Sequence, residues 1–244
     1  MRVTTLSGVP IRIHYSFLPL IFLFPITTSS ILVQNGLGDS YLLSVAIGLI
    51  YLFAIIGSLL VHEFAHVLCA RLFGIQTMSV TINVAGAFTK FRSLAQTPKE
   101  KAFIAVSGPL ASLLLGLSLL MVAFPPVPYL SFLPLPGRDD FAALGIVASI
   151  LCTLGGLNII WGIGNLLPIF PLDGGHILFA YIWHRLGNEV SAQRAAARAS
   201  CFMILLLFLP FAFIRRDPCM GTFGFFLLLL NLVLAFAPTH AEPS

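Results

Sequence analysis

His62-Glu63-Phe64-Ala65-His66 sets two imidazoles four residues apart with a carboxylate between them. On a helix, positions i and i+4 share one face, so both rings can converge on a single metal ion. This is the HExxH pattern of helical zinc sites, in which the intervening glutamate serves as general base. Zinc lowers the pKa of its water to about 7, and the glutamate takes the proton as hydroxide attacks a carbonyl. His62, Glu63 and His66 are therefore candidate ligand, base and ligand.

A catalytic tetrahedral zinc needs a third protein ligand. Outside the motif the acidic residues are Asp39, Glu100, Asp139, Asp140, Asp173, Glu189, Asp217 and Glu242, most of them in expected loops or tails. Asp173 differs, because it ends the run Asn165-Leu166-Leu167-Pro168-Ile169-Phe170-Pro171-Leu172-Asp173-Gly174-Gly175. Prolines on either side of an apolar pair break a helix there, and paired glycines permit close backbone approach.

The surroundings of these residues are strongly apolar. Of 244 residues 58% are hydrophobic and 9% charged, against roughly 25% charged in a soluble domain. The apolar residues fall in blocks near the ~20 residues needed to cross a ~30 Å hydrocarbon layer. The fold class expected is an all-α membrane protein with about six transmembrane helices, at about 13–33, 41–72, 102–124, 141–167, 199–214 and 221–237. Ionisable side chains within such a span carry a high cost and default to a functional reading. Between the second and third spans, Val80, Ile82 and Val84 alternate with Thr81 and Asn83, which predicts a small membrane-surface β hairpin over about 75–91. The proline-rich stretch 125–136 and the segment 186–198 read as connectors, the latter able to extend the fifth span. The chain reads as one polytopic domain, 1–244, with its first apolar block retained rather than cleaved.

The net charge of +4 reflects basic loops rather than a nucleic-acid surface, since no Lys/Arg run is present. Cys69, Cys152, Cys201 and Cys219 form no CxxC pair and read as small core residues. With the N-terminus in the cytoplasm, Arg2, Arg12, Arg71, Lys90, Arg92, Lys99, Lys101, Arg185, Arg194 and Arg198 lie on the cytoplasmic side, with Arg138, Arg215 and Arg216 opposite. That bias predicts both termini cytoplasmic. The second and fourth spans then both run inward, so the HExxH segment and Asp173 reach similar depth on the same side.

HEFAH in the second span, a strand-like segment, Ser107-Gly108-Pro109-Leu110-Ala111-Ser112 and NLLPIFPLDGG, in this order, resemble the site-2 protease family of intramembrane metalloproteases. The stretch from Gly8 to His14, GVPIRIH, resembles the six-span branch of that family. The resemblance implies one zinc ion per chain, bound by His62, His66 and Asp173, with Glu63 as base. It also implies that Asn165 holds the scissile carbonyl or its oxyanion, a role suited to an amide donor. The implied substrates are membrane-spanning proteins or peptides within the lipid bilayer, cleaved in regulated intramembrane proteolysis, with no nucleic-acid partner. Two features depart from the family pattern: Ser112 stands where many relatives carry Asn, and no CBS or PDZ domain accompanies the spans. His14 reads as an interfacial residue, and His176 and His184 as packing or surface residues. Lack of a targeting segment favours a prokaryotic plasma membrane. A metal or proton transporter, or a non-cleaving family member, are the rival classes, and the intact base argues against the second.

Overall fold

The computed structural model describes residues 2–34, 41–84, 86–124, 138–215 and 218–236. The expected 125–136 connector lies outside them. Two compact units divide the chain, the first comprising Met1–Ser93 and Leu110–Gly162, the second Leu94–Pro109 and Ile163–Ser244.

In the first unit, β1 (Arg2–Leu6) and β2 (Val9–Ile13) form an antiparallel hairpin. Its turn, Ser7-Gly8, has φ of 50° and 78°, the positive values that match the twist of the flanking strands. β2 then runs parallel to β3 (Thr77–Asn83), and β3 pairs antiparallel with β4 (Gly86–Phe91). The sheet order is β1-β2-β3-β4. The expected hairpin at 75–91 is thus half of a four-stranded sheet, and the all-α reading is corrected to a mostly helical fold with this sheet. The N-terminal pair escaped notice because β2 finds its partner some 70 residues away, at Ile11↔Val80 and Ile13↔Ile82.

Alternation gives the sheet one apolar face. Val9 and Val80 pack with Val67, Leu60 and Phe64, while Ile11 and Ile82 pack with Leu52 and Phe17. Those partners lie on α2 (Tyr41–Leu72) and on the short 3-10 turn Tyr15–Phe17 that leads into α1 (Leu18–Gln34). His14 caps that turn, its Nδ1 accepting from the Ser16 N–H at 3.3 Å. The sheet therefore lies on the turns of α2 that carry HEFAH.

Close helix contacts complete this unit. A Cβ at Gly48 would stand 2.9 Å from the Pro25 Cα of α1. α3 (Pro98–Ala123) and α4 (Arg138–Asn165) approach so nearly that a Cβ on Gly116 would lie 2.8 Å from the Gly155 carbonyl oxygen. Small residues allow such approach where no hydrophobic drive separates helix contact from lipid contact. Asn158 Nδ2 on α4 donates to Ser58 Oγ on α2 at 2.9 Å.

In the second unit, α5 (Asp173–Leu186) ends at Gly187, whose φ of 68° suits a residue without Cβ. α6 (Glu189–Arg215) begins where Asn188 Oδ1 accepts the Ser191 N–H at 2.8 Å, an N-cap. α7 (Pro218–Phe236) completes it. Phe170, Phe179, Ala192, Ala196, Ala197 and Ala235 form its buried core.

Among the described residues, four helical segments are long and apolar enough to cross a membrane: Tyr41–Leu72, Pro98–Ala123, Val147–Asn165 and Glu189–Phe208. Tyr15–Thr27 and Gly221–Phe236 are apolar but shorter among the described residues. The protein is a membrane protein of mostly apolar helices. Gly116→Ala should destabilise it by about 1–3 kcal/mol, because backbone must move to admit the methyl. Gly57→Ala, where nothing lies within 4 Å, should leave the thermal midpoint in detergent unchanged or slightly raised. Equal midpoints for both variants would show that the α3–α4 contact is loose.

Candidate metal centre

α2 is apolar along most of its 32 residues, and it ends with Arg71 in its last turn. Inside its second half, His62, Glu63 and His66 are 4%, 8% and 7% exposed. Three ionisable groups at that depth need partners, since an unsatisfied buried polar group costs about 1–3 kcal/mol.

His62 and His66 stand one turn apart with their rings edge to face, centroids 4.9 Å apart. Their Nε2 atoms approach to 3.2 Å. Two nitrogens bound to one tetrahedral zinc at 2.0–2.1 Å would be separated by about 3.3–3.4 Å. The pair is therefore already spaced as an edge of such a coordination shell, which is the donor geometry a zinc ion requires. The opposite nitrogen of His62, Nδ1, lies 2.9 Å from Ser112 Oγ on α3, and Ser112 is 1% exposed. A hydrogen bond there fixes the ring and turns Nε2 toward His66, the usual outer support of a ligating histidine. Ser112, where the sequence departs from the family pattern, thus supplies one hydrogen bond to His62.

Glu63 points to the sheet. Thr89 Oγ1 on β4 donates to Glu63 Oε2 at 2.6 Å. The register explains why: Thr89 stands directly opposite Val80, and opposed residues of an antiparallel pair share a face. Val80 faces α2, so Thr89 does too, while its neighbours Phe88 and Lys90 are exposed. Thr89 was missed in the sequence. Strand alternation alone suggests a β4 strand, but only the pairing register says which of its residues face the helix.

In the second unit, Asn165 is the last residue of α4 and is half-buried. After it the chain leaves helical geometry, with Ile169 N–H bonded to the Leu167 carbonyl at 2.7 Å and Leu172 N–H to the Ile169 carbonyl at 2.8 Å. Asp173, half-buried, opens α5, where a carboxylate meets the positive end of the helix dipole. Gly174 and Gly175 are obligatory: a Cβ on Gly174 would lie 2.2 Å from the Leu166 and Leu167 carbonyl oxygens, and one on Gly175 2.6 Å from the Phe170 nitrogen. The paired glycines thus let α5 start directly against the irregular segment that precedes it. His176 packs edge-on against Phe170, centroids 5.1 Å apart, and His184 is exposed in the last turn of α5.

Comparison with known proteins agrees with this geometry. Rip3 of Mycobacterium tuberculosis, named as a zinc metalloprotease, is 33% identical over 202 residues, covering 83% of this chain and 48% of that protein. Zinc metalloprotease MJ0392 of Methanocaldococcus jannaschii is 29% identical over 211 residues, covering 85% of this chain and 53% of its own. The chain spans about half the length of these curated relatives. Among solved structures, the site-2 protease from Methanocaldococcus jannaschii shares the fold, with a TM-score of 0.59 at 21% identity over 100% of this chain and 99% of that one. The model of peptidase family M50 matches residues 50–209. That stretch is well over half of the sequence and holds both HEFAH and the Asp173 turn, and on it the chain belongs to peptidase family M50.

Proposed function

We propose that this chain is an intramembrane zinc metalloprotease of the site-2 type, hydrolysing peptide bonds of membrane-spanning proteins or peptides. The observation that carries the reading is the pair of buried imidazoles with Nε2 atoms 3.2 Å apart, beside a buried carboxylate, in an apolar helix. Membership of a peptidase family supports the same chemistry.

In this reading His62, His66 and Asp173 hold one zinc ion. The ion supplies Lewis acidity, which makes water a nucleophile near neutral pH. Glu63 accepts the proton from the attacking water and passes it to the departing amine nitrogen. Thr89 Oγ1 donates to Glu63 Oε2 and so orients the carboxylate for that transfer. The Asn165 side-chain amide donates to the carbonyl oxygen as negative charge develops. Among the described residues no strand pairs with the outer side of β4. A substrate helix must unwind before a carbonyl is open to attack, and that edge can take the freed segment as an added strand.

The bias of basic residues supports a topology with both termini in the cytoplasm. Release of membrane-tethered regulators is the corresponding physiological role.

Purified protein mixed with a single-span substrate tests the class. Cleavage should require zinc, be abolished by a chelator and return on adding zinc back. Glu63→Gln should keep zinc and lose at least about a hundredfold in rate, the contribution of a positioned base. Undiminished cleavage by that variant would remove Glu63 from the mechanism. Thr89→Val should lower kcat about tenfold with KM little changed, as expected for one lost hydrogen bond to a charged group. Thr89→Ser should restore the rate, and a Val variant as fast as wild type would show that Thr89 is only structural.

A further inference from the structure

The irregular run before Asp173 poses a problem of backbone accounting. Phe170 and its neighbours lie outside any helix, yet Ile169 is fully buried and Phe170 5% exposed. In an apolar surrounding each peptide N–H and C=O there must find a partner inside the protein. Both groups of Phe170 find side chains. Its N–H donates to Ser200 Oγ on α6 at 3.3 Å, and its carbonyl oxygen accepts from Asn231 Nδ2 on α7 at 2.8 Å. Ser200 and Asn231 are both fully buried. Ser200 Oγ is held in turn by its own helix, at 2.9 Å from the Ala196 carbonyl oxygen.

Asn231 carries the sharper message. Its Nδ2 donates twice, to Phe170 and to the Leu227 carbonyl at 2.9 Å, while its Oδ1 has no hydrogen-bond partner. With Oδ1 unmet, the buried amide is costly at its acceptor end, and what offsets that cost is its donor end, which meets the Phe170 carbonyl. The residue is explained if its donor end has a task that an apolar side chain cannot perform.

The loop makes that task visible. Only Pro171 and Leu172 separate Phe170 from Asp173. The Gly175 N–H bonds to the Leu172 carbonyl at 3.0 Å, and Gly174 and Gly175 leave no space for even a methyl group against residues 166–170. The Phe170 ring packs against His176 and Phe179, centroids 5.1 Å and 6.5 Å away, within the buried cluster that includes Ala196 and Ala235. A segment so tightly packed moves as one piece, so a displacement at Phe170 is carried to Asp173.

We propose that Asn231, seconded by Ser200, is a positioning residue for Asp173: the last helix holds the Phe170 peptide and thereby sets where the Asp173 carboxylate stands. The inference rests on the reading of Asp173 as a zinc ligand. It makes α7 part of the metal centre's support, acting through Phe170.

Zinc affinity of the full chain in detergent, measured by competition with a fluorescent chelator, tests it apart from catalysis. Asn231→Leu should weaken zinc binding about tenfold, the scale found when the outer support of a ligand is removed. Ser200→Ala should weaken it by a smaller factor, and it decides the matter if Asn231→Leu does not fold. Gly224→Ala is the packing control, because its Cβ would lie 2.8 Å from the Phe208 Cβ and so strains the α6–α7 contact without touching Phe170. That variant should lower the thermal midpoint and leave zinc affinity within about twofold. Zinc affinity unchanged in Asn231→Leu and Ser200→Ala, or lowered equally by Gly224→Ala, would overturn the proposal. Asp173→Ala separates the two levels: if it binds zinc as tightly as wild type, the ligand assignment itself fails, whatever Asn231 does.

Discussion

A histidine inside an apolar helix can offer one nitrogen to a metal only if something else occupies the other. For His62 that something is Ser112, 2.9 Å from Nδ1 and buried on α3. The same necessity governs Glu63, whose carboxylate is met by Thr89. With a penalty of about 1–3 kcal/mol for each buried polar group left unmet, the helix that carries HEFAH constrains its neighbours. One must bring a hydroxyl to His62, and a strand must bring one to Glu63. The packing of Val9, Val80 and Val67 then fixes the register that aims Thr89 correctly. Sheet and helix are joined by apolar contacts, but the arrangement is decided by where two hydroxyls have to be.

The second unit answers the same requirement for backbone rather than side chains. Breaking the helix before Asp173 frees peptide groups that water cannot reach. Ser200 and Asn231 take up those of Phe170. Glycines at 174 and 175 then let α5 begin at once, so that the aspartate sits at the start of a helix instead of in a mobile loop. Neither partner of Phe170 belongs to a motif, and both stand among alanines or leucines in the sequence.

What the sequence discloses and what it withholds divide along one line. Patterns that act within a few residues are legible: the i, i+4 histidines, the apolar blocks that became α1 to α4, α6 and α7, the alternation of Val80 and Ile82, and the Pro-and-Gly break before α5. Pairings set by distant chain segments are not. β1 and β2 are absent from the expected elements, since their four-stranded sheet forms only when β3, some 70 residues on, lies alongside β2. The 14-residue helix α5 was not anticipated, because its two leading glycines resemble a loop. Ser112 looked like a weakened motif position until its one hydrogen bond had a recipient, and Thr89 became visible only through the β3–β4 register. The sequence thus names the chemistry, while the groups that hold it steady emerge from tertiary pairing.

The position of Thr89 also bears on how a bound strand and the base could be related. Along β4, Thr89 turns inward to Glu63 while Phe88 and Lys90 turn outward, and the peptide groups on the far side of the strand have no neighbouring strand among the described residues. A segment added to that side would bond to the same backbone from which the Thr89 side chain projects, about 4.8 Å from the strand that holds the base. Strand pairing is geometrically strict, because a slip of one residue reverses the facing of every side chain. Binding energy from a whole extended segment would then fix the depth of one carbonyl relative to Glu63. In the proposed protease, β4 would then be both the template for the opened substrate and the anchor for the carboxylate, which ties the sheet to the chemistry through the Thr89–Glu63 contact.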